Sequence, residues 1–139
     1  MKTIGMQIKS NEVILVVLEK DVAGKIIQTN ESARYGIDDS TNSTQVKQFR
    51  DQINAAFDLV NPSRIGIVAR NANGKGQRAP SPISFKLEGI IQLYEKVDIE
   101  LVWPQTTVAY FKTHPKVEKS INKYQEDAFD LGYYLINQL

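Results

Sequence analysis

From Thr3 to Ser10 the chain alternates, with Ile4, Met6 and Ile8 on one side and Thr3, Gly5, Gln7 and Lys9 on the other. Val13 to Leu18 is then an unbroken apolar run. Period two predicts a first strand, and the continuous run predicts a second strand covered on both faces, joined to it by a tight turn at Ser10-Asn11. Asp21 to Gly24 reads as another turn, after which Lys25 to about Arg34 returns as a third strand and completes an antiparallel meander. The polar stretch Asp38 to Ser43 ends the sheet and offers several helix N-caps. Val46, Phe49, Ile53, Phe57 and Val60 follow at helical spacing until Asn61-Pro62 stops the helix.

Ile65 to Val68 is branched and short enough for a buried strand, with Gly66 as a packing glycine. A Gly- and Pro-rich connection, Asn71 to Pro82, comes next. Ser81-Pro82 is an N-cap followed by a first-turn proline, and Ile83, Leu87, Ile90, Ile91 and Tyr94 mark one face of the next helix. Ile99 to Trp103 predicts a fifth strand, Thr106 to Thr113 a short helix stopped by His114-Pro115, and Lys123 to about Asn137 a terminal helix. Tyr110, Phe111, Tyr124, Phe129, Tyr133 and Tyr134 fall mostly at core-facing spacings, so they read as packing residues before a base-stacking platform.

Composition narrows the chemistry. The 139 residues carry 17 Lys and Arg against 16 Asp and Glu, one His and no Cys, the profile of one domain over residues 1–139. Absence of cysteine removes thiol nucleophiles, disulfides, iron–sulfur clusters and Cys-based zinc modules, and one His cannot build a His-rich metal site. Any metal would bind through oxygen. No apolar run has signal-peptide or membrane-spanning length, so the expected location is cytoplasmic, with no membrane partner. His114 reads as a surface turn residue, and no Gly-x-Ser-x-Gly nucleophile turn is present.

The near-zero net charge hides a local asymmetry. From Leu59 to Leu87 there are five bases, Arg64, Arg70, Lys75, Arg78 and Lys86, and no acid, leaving 12 bases against 16 acids elsewhere. Within it, residues 70–78 combine three cations, two glycines and several amides, a composition suited to a phosphate backbone. Gly74-Lys75-Gly76 lacks the spacing of a nucleotide-binding P-loop. Arg70, Lys75, Arg78 and Lys86 are therefore the candidate nucleic-acid contacts, with a solvated connection as the plain alternative.

Three antiparallel strands followed by α-β-α-β and closing helices, around a mixed five-stranded sheet, is the ribonuclease H-like order. Three passages resemble that superfamily, specifically its RuvC-like branch of Holliday-junction resolvases. They are Ile4-Gly5-Met6-Gln7-Ile8-Lys9-Ser10, then Asn61-Pro62-Ser63-Arg64-Ile65-Gly66-Ile67-Val68, and finally Trp103-Pro104 through Lys112 to Glu126-Asp127-Ala128-Phe129-Asp130. The resemblance implies two Mg²⁺ or Mn²⁺ ions held by about four carboxylates: one on the first strand, one at the end of the Ile65–Val68 strand and a pair on the last helix. Two hard cations so held clamp the attacking and leaving oxygens of a phosphodiester.

Here the first-strand position is Gln7, nothing from Ile65 through Arg70 is acidic, and only Asp127 and Asp130 remain, three apart on one helical face with Glu126 beside them. The resemblance thus implies a catalytic centre with acids missing, in which Asp127 and Asp130 are vestigial catalytic residues and at most a weak metal site. The plain reading of Glu126, Asp127 and Asp130 is a solvated face, or acids complementing a helix N-terminus.

The leading expectation is a RuvC-like protein that no longer cuts, carries no cofactor, and binds a DNA or RNA backbone or a protein partner. One rival is an active Mg²⁺-dependent nuclease that adds Asp38, Asp39 or Glu88 to Asp127 and Asp130. A second is a scaffold that docks, or pairs with its own copy, through a sheet edge or its terminal helix.

Overall fold

The computed structural model describes residues 1–73 and 79–139. In chain order it contains β1 (Lys2–Lys9), β2 (Glu12–Lys20), β3 (Ile26–Gln28), β4 (Ala33–Gly36), α1 (Ser43–Val60), β5 (Arg64–Val68), α2 (Pro82–Gln92), β6 (Ile99–Val102), α3 (Pro104–Thr113) and α4 (Glu126–Ile136). One 3₁₀ turn, Lys123–Gln125, leads into α4. The sheet runs β3-β2-β1-β5-β6, with β4 also on β2. Pairings of β2 with β1, β3 and β4 are antiparallel, while β1–β5 and β5–β6 are parallel. This is the mixed sheet that the order of elements predicts.

The third strand departs from the prediction. Its single sheet position is filled by two short strands, β3 on Leu18–Lys20 and β4 on Glu12–Leu15. Between them residues 29–32 outnumber the two β2 residues they face. Val17 keeps both backbone bonds there, accepting from the Thr29 N–H at 2.9 Å and donating to the Ser32 hydroxyl at 3.0 Å. A side-chain hydroxyl therefore replaces one rung of the ladder, and the strand breaks without leaving a buried orphan.

Element ends follow local chemistry. Asn42 caps α1 by accepting from the Gln45 N–H, and Asn61 closes it in the left-handed conformation at φ 51°. Ser81 accepts from the Ser84 N–H at the start of α2, with Pro82 in its first turn. Ser10, at φ 54°, makes the turn between β1 and β2.

Two apolar layers cover the sheet. On one face Ile4, Met6, Ile8, Val13, Leu15, Val17, Ile65 and Ile67 pack under Phe49, Ile53, Phe57 and Val60 of α1 and Leu87 and Ile91 of α2. On the other, Ile14, Val16, Leu18 and Ile26 meet Ala128, Phe129 and Ile136 of α4. Of the six aromatics assigned to the core, only Phe129 is fully buried. Helix α3 buries no residue, and its Tyr110 and Phe111 lean edge-on or tilted against Tyr134 and Tyr133. Tyr124 is 40% exposed, beneath the Arg34 guanidinium. The half-buried rings form a bridge from α3 to α4 instead of a core layer. Among the described residues, no helix is long and apolar enough to cross a membrane.

Helix α4 lies almost on the backbone of β1. A Cβ placed on Gly5 would fall 2.0 Å from the Ala128 carbonyl oxygen and 2.6 Å from the Gly132 nitrogen. Beside this contact the buried Thr3 hydroxyl donates to the Gly132 carbonyl at 2.8 Å. Gly66 is also a packing glycine, under Leu131 and Leu135.

Gly5→Ala is therefore expected to destabilise the fold by at least about 2 kcal/mol in urea unfolding, since backbone on both sides must move. Gly89→Ala, in α2 with nothing within 4 Å of its added Cβ, should instead stabilise by up to about 1 kcal/mol. Equal effects of the two substitutions would show that α4 does not depend on the Gly5 contact.

Candidate functional site

The approach of α4 to β1 carries side chains along with it. Thr3, Gly5 and Gln7 share one face of β1, and α4 crosses that face so that Gly132 meets Thr3, Ala128 meets Gly5, and Asp127 reaches Gln7. The Gln7 amide Nε2 donates to Asp127 Oδ2 at 2.8 Å, across 120 residues of sequence. Beside this pair, Val68 at the end of β5, Pro104, Thr107 and Val108 of α3, and Asp127 and Asp130 of α4 line a cleft of about 110 Å³. Gln7, the end of β5 and the Asp127/Asp130 face therefore come to one side of the sheet.

Asp130 has a partner that the sequence reading did not name. Lys116, in the segment after α3, places Nζ 2.9 Å from Asp130 Oδ1. The ammonium also donates to the Glu118 carbonyl oxygen at 3.4 Å and lies 5.3 Å from the Phe111 ring centre and 5.6 Å from that of Phe129. Only 16% of the Lys116 side chain and 25% of the Asp130 side chain are exposed, so the pair is held in place. Burial pushes the Asp130 carboxyl above the usual carboxylate range, with Lys116 opposing that shift and Glu126 and Asp127 adding to it. The cleft thus holds two carboxylates, each bonded to a donor from the protein itself.

The remaining candidates lie apart from this cleft. Arg64 makes a two-point ion pair with Glu100 across β5 and β6. Arg70 pairs with Glu88 at 3.1 Å, each with 13% side-chain exposure, and stacks over Phe85 at 4.4 Å. Lys86 donates to the Ser40 carbonyl. Lys75 and Arg78 lie outside the described residues. Glu88 sits on α2, over the opposite sheet face, closed by Arg70. Asp39 is held at the approach to α1 by the Thr41 N–H and hydroxyl, which keep its carboxyl below the usual range.

Asp38 lines a different hollow, with Gln45 and Gln48 of α1. The acids proposed for the nuclease alternative are therefore not brought to Asp127 and Asp130. Among the described residues, no group of three or more His, Cys, Asp or Glu side chains is placed to hold a metal ion. His114, at the end of α3, stacks on Tyr110 at 4.2 Å and bonds Thr113, as a surface turn residue does.

Because the folded chain raises the Asp130 pKa, it holds that proton more tightly than the unfolded chain does. The protonated group's contribution to stability is full below the ordinary aspartate range and is lost as pH rises through the raised value. Asp130→Asn should abolish that loss in pH-dependent unfolding. Removing the opposing cation by Lys116→Met should move the Asp130 titration, followed by carboxyl NMR, further upward. An unchanged titration in Lys116→Met would contradict the pairing.

The chain is similar in structure to Thermus thermophilus RuvC, with a TM-score of 0.69 at 10% identity over 99% of this chain and 97% of that one. A structure of T. thermophilus RuvC in complex with Holliday junction substrate gives 0.68 at 10% identity, over 95% and 90%. The fowlpox virus resolvase in complex with Holliday junction DNA gives 0.55 at 11% identity, over 99% and 98%. At these identities the likeness shows a shared fold, the ribonuclease H-like fold. No curated protein matches the chain by sequence. The family model described as "Protein of unknown function (DUF3010)" matches residues 1–135, and the chain belongs to that family.

Proposed function

We propose that this protein is a RuvC-like binding protein that holds nucleic acid through its phosphate backbone and does not cut it. The observation that carries this reading is the pairing of both cleft carboxylates inside the protein, Asp127 with the Gln7 amide and Asp130 with the Lys116 ammonium.

A two-metal centre needs anionic ligands from several elements, because each carboxylate offsets part of the charge of two adjoining dications. At the matching places this chain has a neutral amide that donates to Asp127, an apolar Val68, and a cation already seated on Asp130. These residues do not fit a pair of dications, and no step of the proposed function passes through metal. Nucleic-acid binding is supported by the shared fold with proteins solved on Holliday junctions, and by the run of five bases without an acid between Leu59 and Leu87. Phosphate contact asks only for cations and backbone N–H groups on the surface, and survives the loss of a catalytic centre.

A second reading, docking of another protein, is favoured by one feature. Strand β6 is an edge, and beside it Leu101 is 45% exposed, Trp103 50% and Val108 58%.

With Mg²⁺ or Mn²⁺, the protein is expected to leave single-stranded, duplex and branched DNA and RNA–DNA hybrid intact while retarding duplex DNA at low salt. Asp127→Asn should change neither result. Gln7→Asp alone should not install cleavage, because Val68 still supplies no ligand. Metal-dependent cleavage abolished by Asp127→Asn would overturn the reading in favour of a nuclease. Failure to bind any nucleic acid at low salt would leave protein docking as the better account.

A further inference from the structure

The acid-free segment between Leu59 and Leu87 is the obvious place for a phosphate, yet its described cations have other engagements: Arg64 with Glu100, Arg70 with Glu88, Lys86 with the Ser40 carbonyl. A different group of bases lies on the opposite side of the sheet, beside the cleft. Lys116, Lys119, Ser120, Lys123 and Glu126 line a hollow of about 340 Å³, between the segment that follows α3 and the first turn of α4. That volume is at the lower end of the range of small-ligand pockets.

Its charge arrangement is one-sided. Three ammonium groups face one carboxylate, Glu126. The other acids nearby are turned elsewhere: Glu118 accepts from the Tyr133 hydroxyl at 2.9 Å, Asp127 from Gln7, and Asp130 faces Lys116. Among the described residues, neither Lys119 nor Lys123 has an acidic partner, whereas Lys116 is fixed by Asp130 and by the rings of Phe111 and Phe129. One cation is therefore preorganised and two are unengaged. The Ser120 hydroxyl is already donated to the Asn122 carbonyl, leaving its lone pairs and not its proton toward the hollow. The lysines must then supply the binding.

We infer that the Lys116–Lys119–Lys123 pocket is a phosphate site, in which Lys119 and Lys123 close on an anion that Lys116 helps to position. The inference rests on the nucleic-acid reading where the phosphate belongs to a DNA or RNA backbone. It also holds for a free phosphate group, which has the same chemistry. The pocket and the Val68–Asp127–Asp130 cleft share the Lys116–Asp130 pair, so a backbone phosphate seated here would bring the adjoining strand alongside the cleft.

The test uses the full chain and two probes, inorganic phosphate and a short DNA duplex. In amide NMR of the wild type, phosphate should shift resonances from Lys116 to Glu126. For the duplex, log affinity against log salt should be flatter by about two units in the exposed double variant Lys119→Gln/Lys123→Gln, since each lost phosphate contact removes about 0.9 from the slope. The same spectrum shows that the variant is folded. A duplex that binds with the slope unchanged in the double variant overturns the pocket and leaves the nucleic-acid reading standing. Shifts with phosphate but no duplex binding at low salt support the pocket as a site for free phosphate and overturn the nucleic-acid reading. A spectrum unmoved by either probe overturns both.

Discussion

The contact between β1 and α4 at Gly5 sets where everything on that side of the sheet lies. A helix normally stands off a sheet by the thickness of its side chains. Here the absence of a side chain at Gly5, with Gly132 facing it, lets backbone meet backbone. Glycine costs roughly 1 kcal/mol of conformational entropy in a helix or strand interior. The close approach offsets that cost with the Thr3–Gly132 hydrogen bond and with burial of Ala128 and Phe129. Once α4 is at this height, the Gln7 side chain is long enough to touch Asp127, and Asp130 falls at the mouth of the cleft that Val68 closes. The chemistry of the cleft therefore depends on two positions that contribute no chemistry of their own.

Charge is balanced locally throughout the molecule. The Lys116–Asp130 and Arg70–Glu88 pairs are largely buried, and removing one member of such a pair leaves an uncompensated charge that costs far more than breaking a surface pair. A cation seated on Asp130 and an amide on Asp127 leave the cleft close to neutral without any ion. The positive charge left for an outside partner lies beside the cleft, on Lys119 and Lys123.

Much of the fold is legible in the sequence because it depends on local signals. Alternation from Thr3 to Lys9 assigns each residue of β1 to its face, including the placement of Gln7 opposite the Ile4 layer. Asn61-Pro62 and Ser81-Pro82 mark a helix end and a helix start through the backbone demands of cap and proline. The break between β3 and β4 is not legible, since it depends on one hydroxyl, Ser32, meeting the Val17 N–H across the sheet. Nor are the partners of the charged residues. Lys116 follows a proline in a stretch without periodicity, and nothing local distinguishes it from Lys112 or Lys119. Arg70 reads as part of a basic loop until α2 brings Glu88 and Phe85 against it. Aromatic spacing misleads at α3, where Tyr110 and Phe111 have helical periodicity but meet other rings at the surface instead of the core.

The chemical character of the cleft is open to one direct measurement: anomalous diffraction at the manganese edge from crystals soaked in Mn²⁺. No manganese peak is expected among Val68, Asp127 and Asp130, with the Gln7 amide still on Asp127 and the Lys116 ammonium still on Asp130. Two peaks about 3.5–4 Å apart at that place, with Lys116 displaced, would contradict the account.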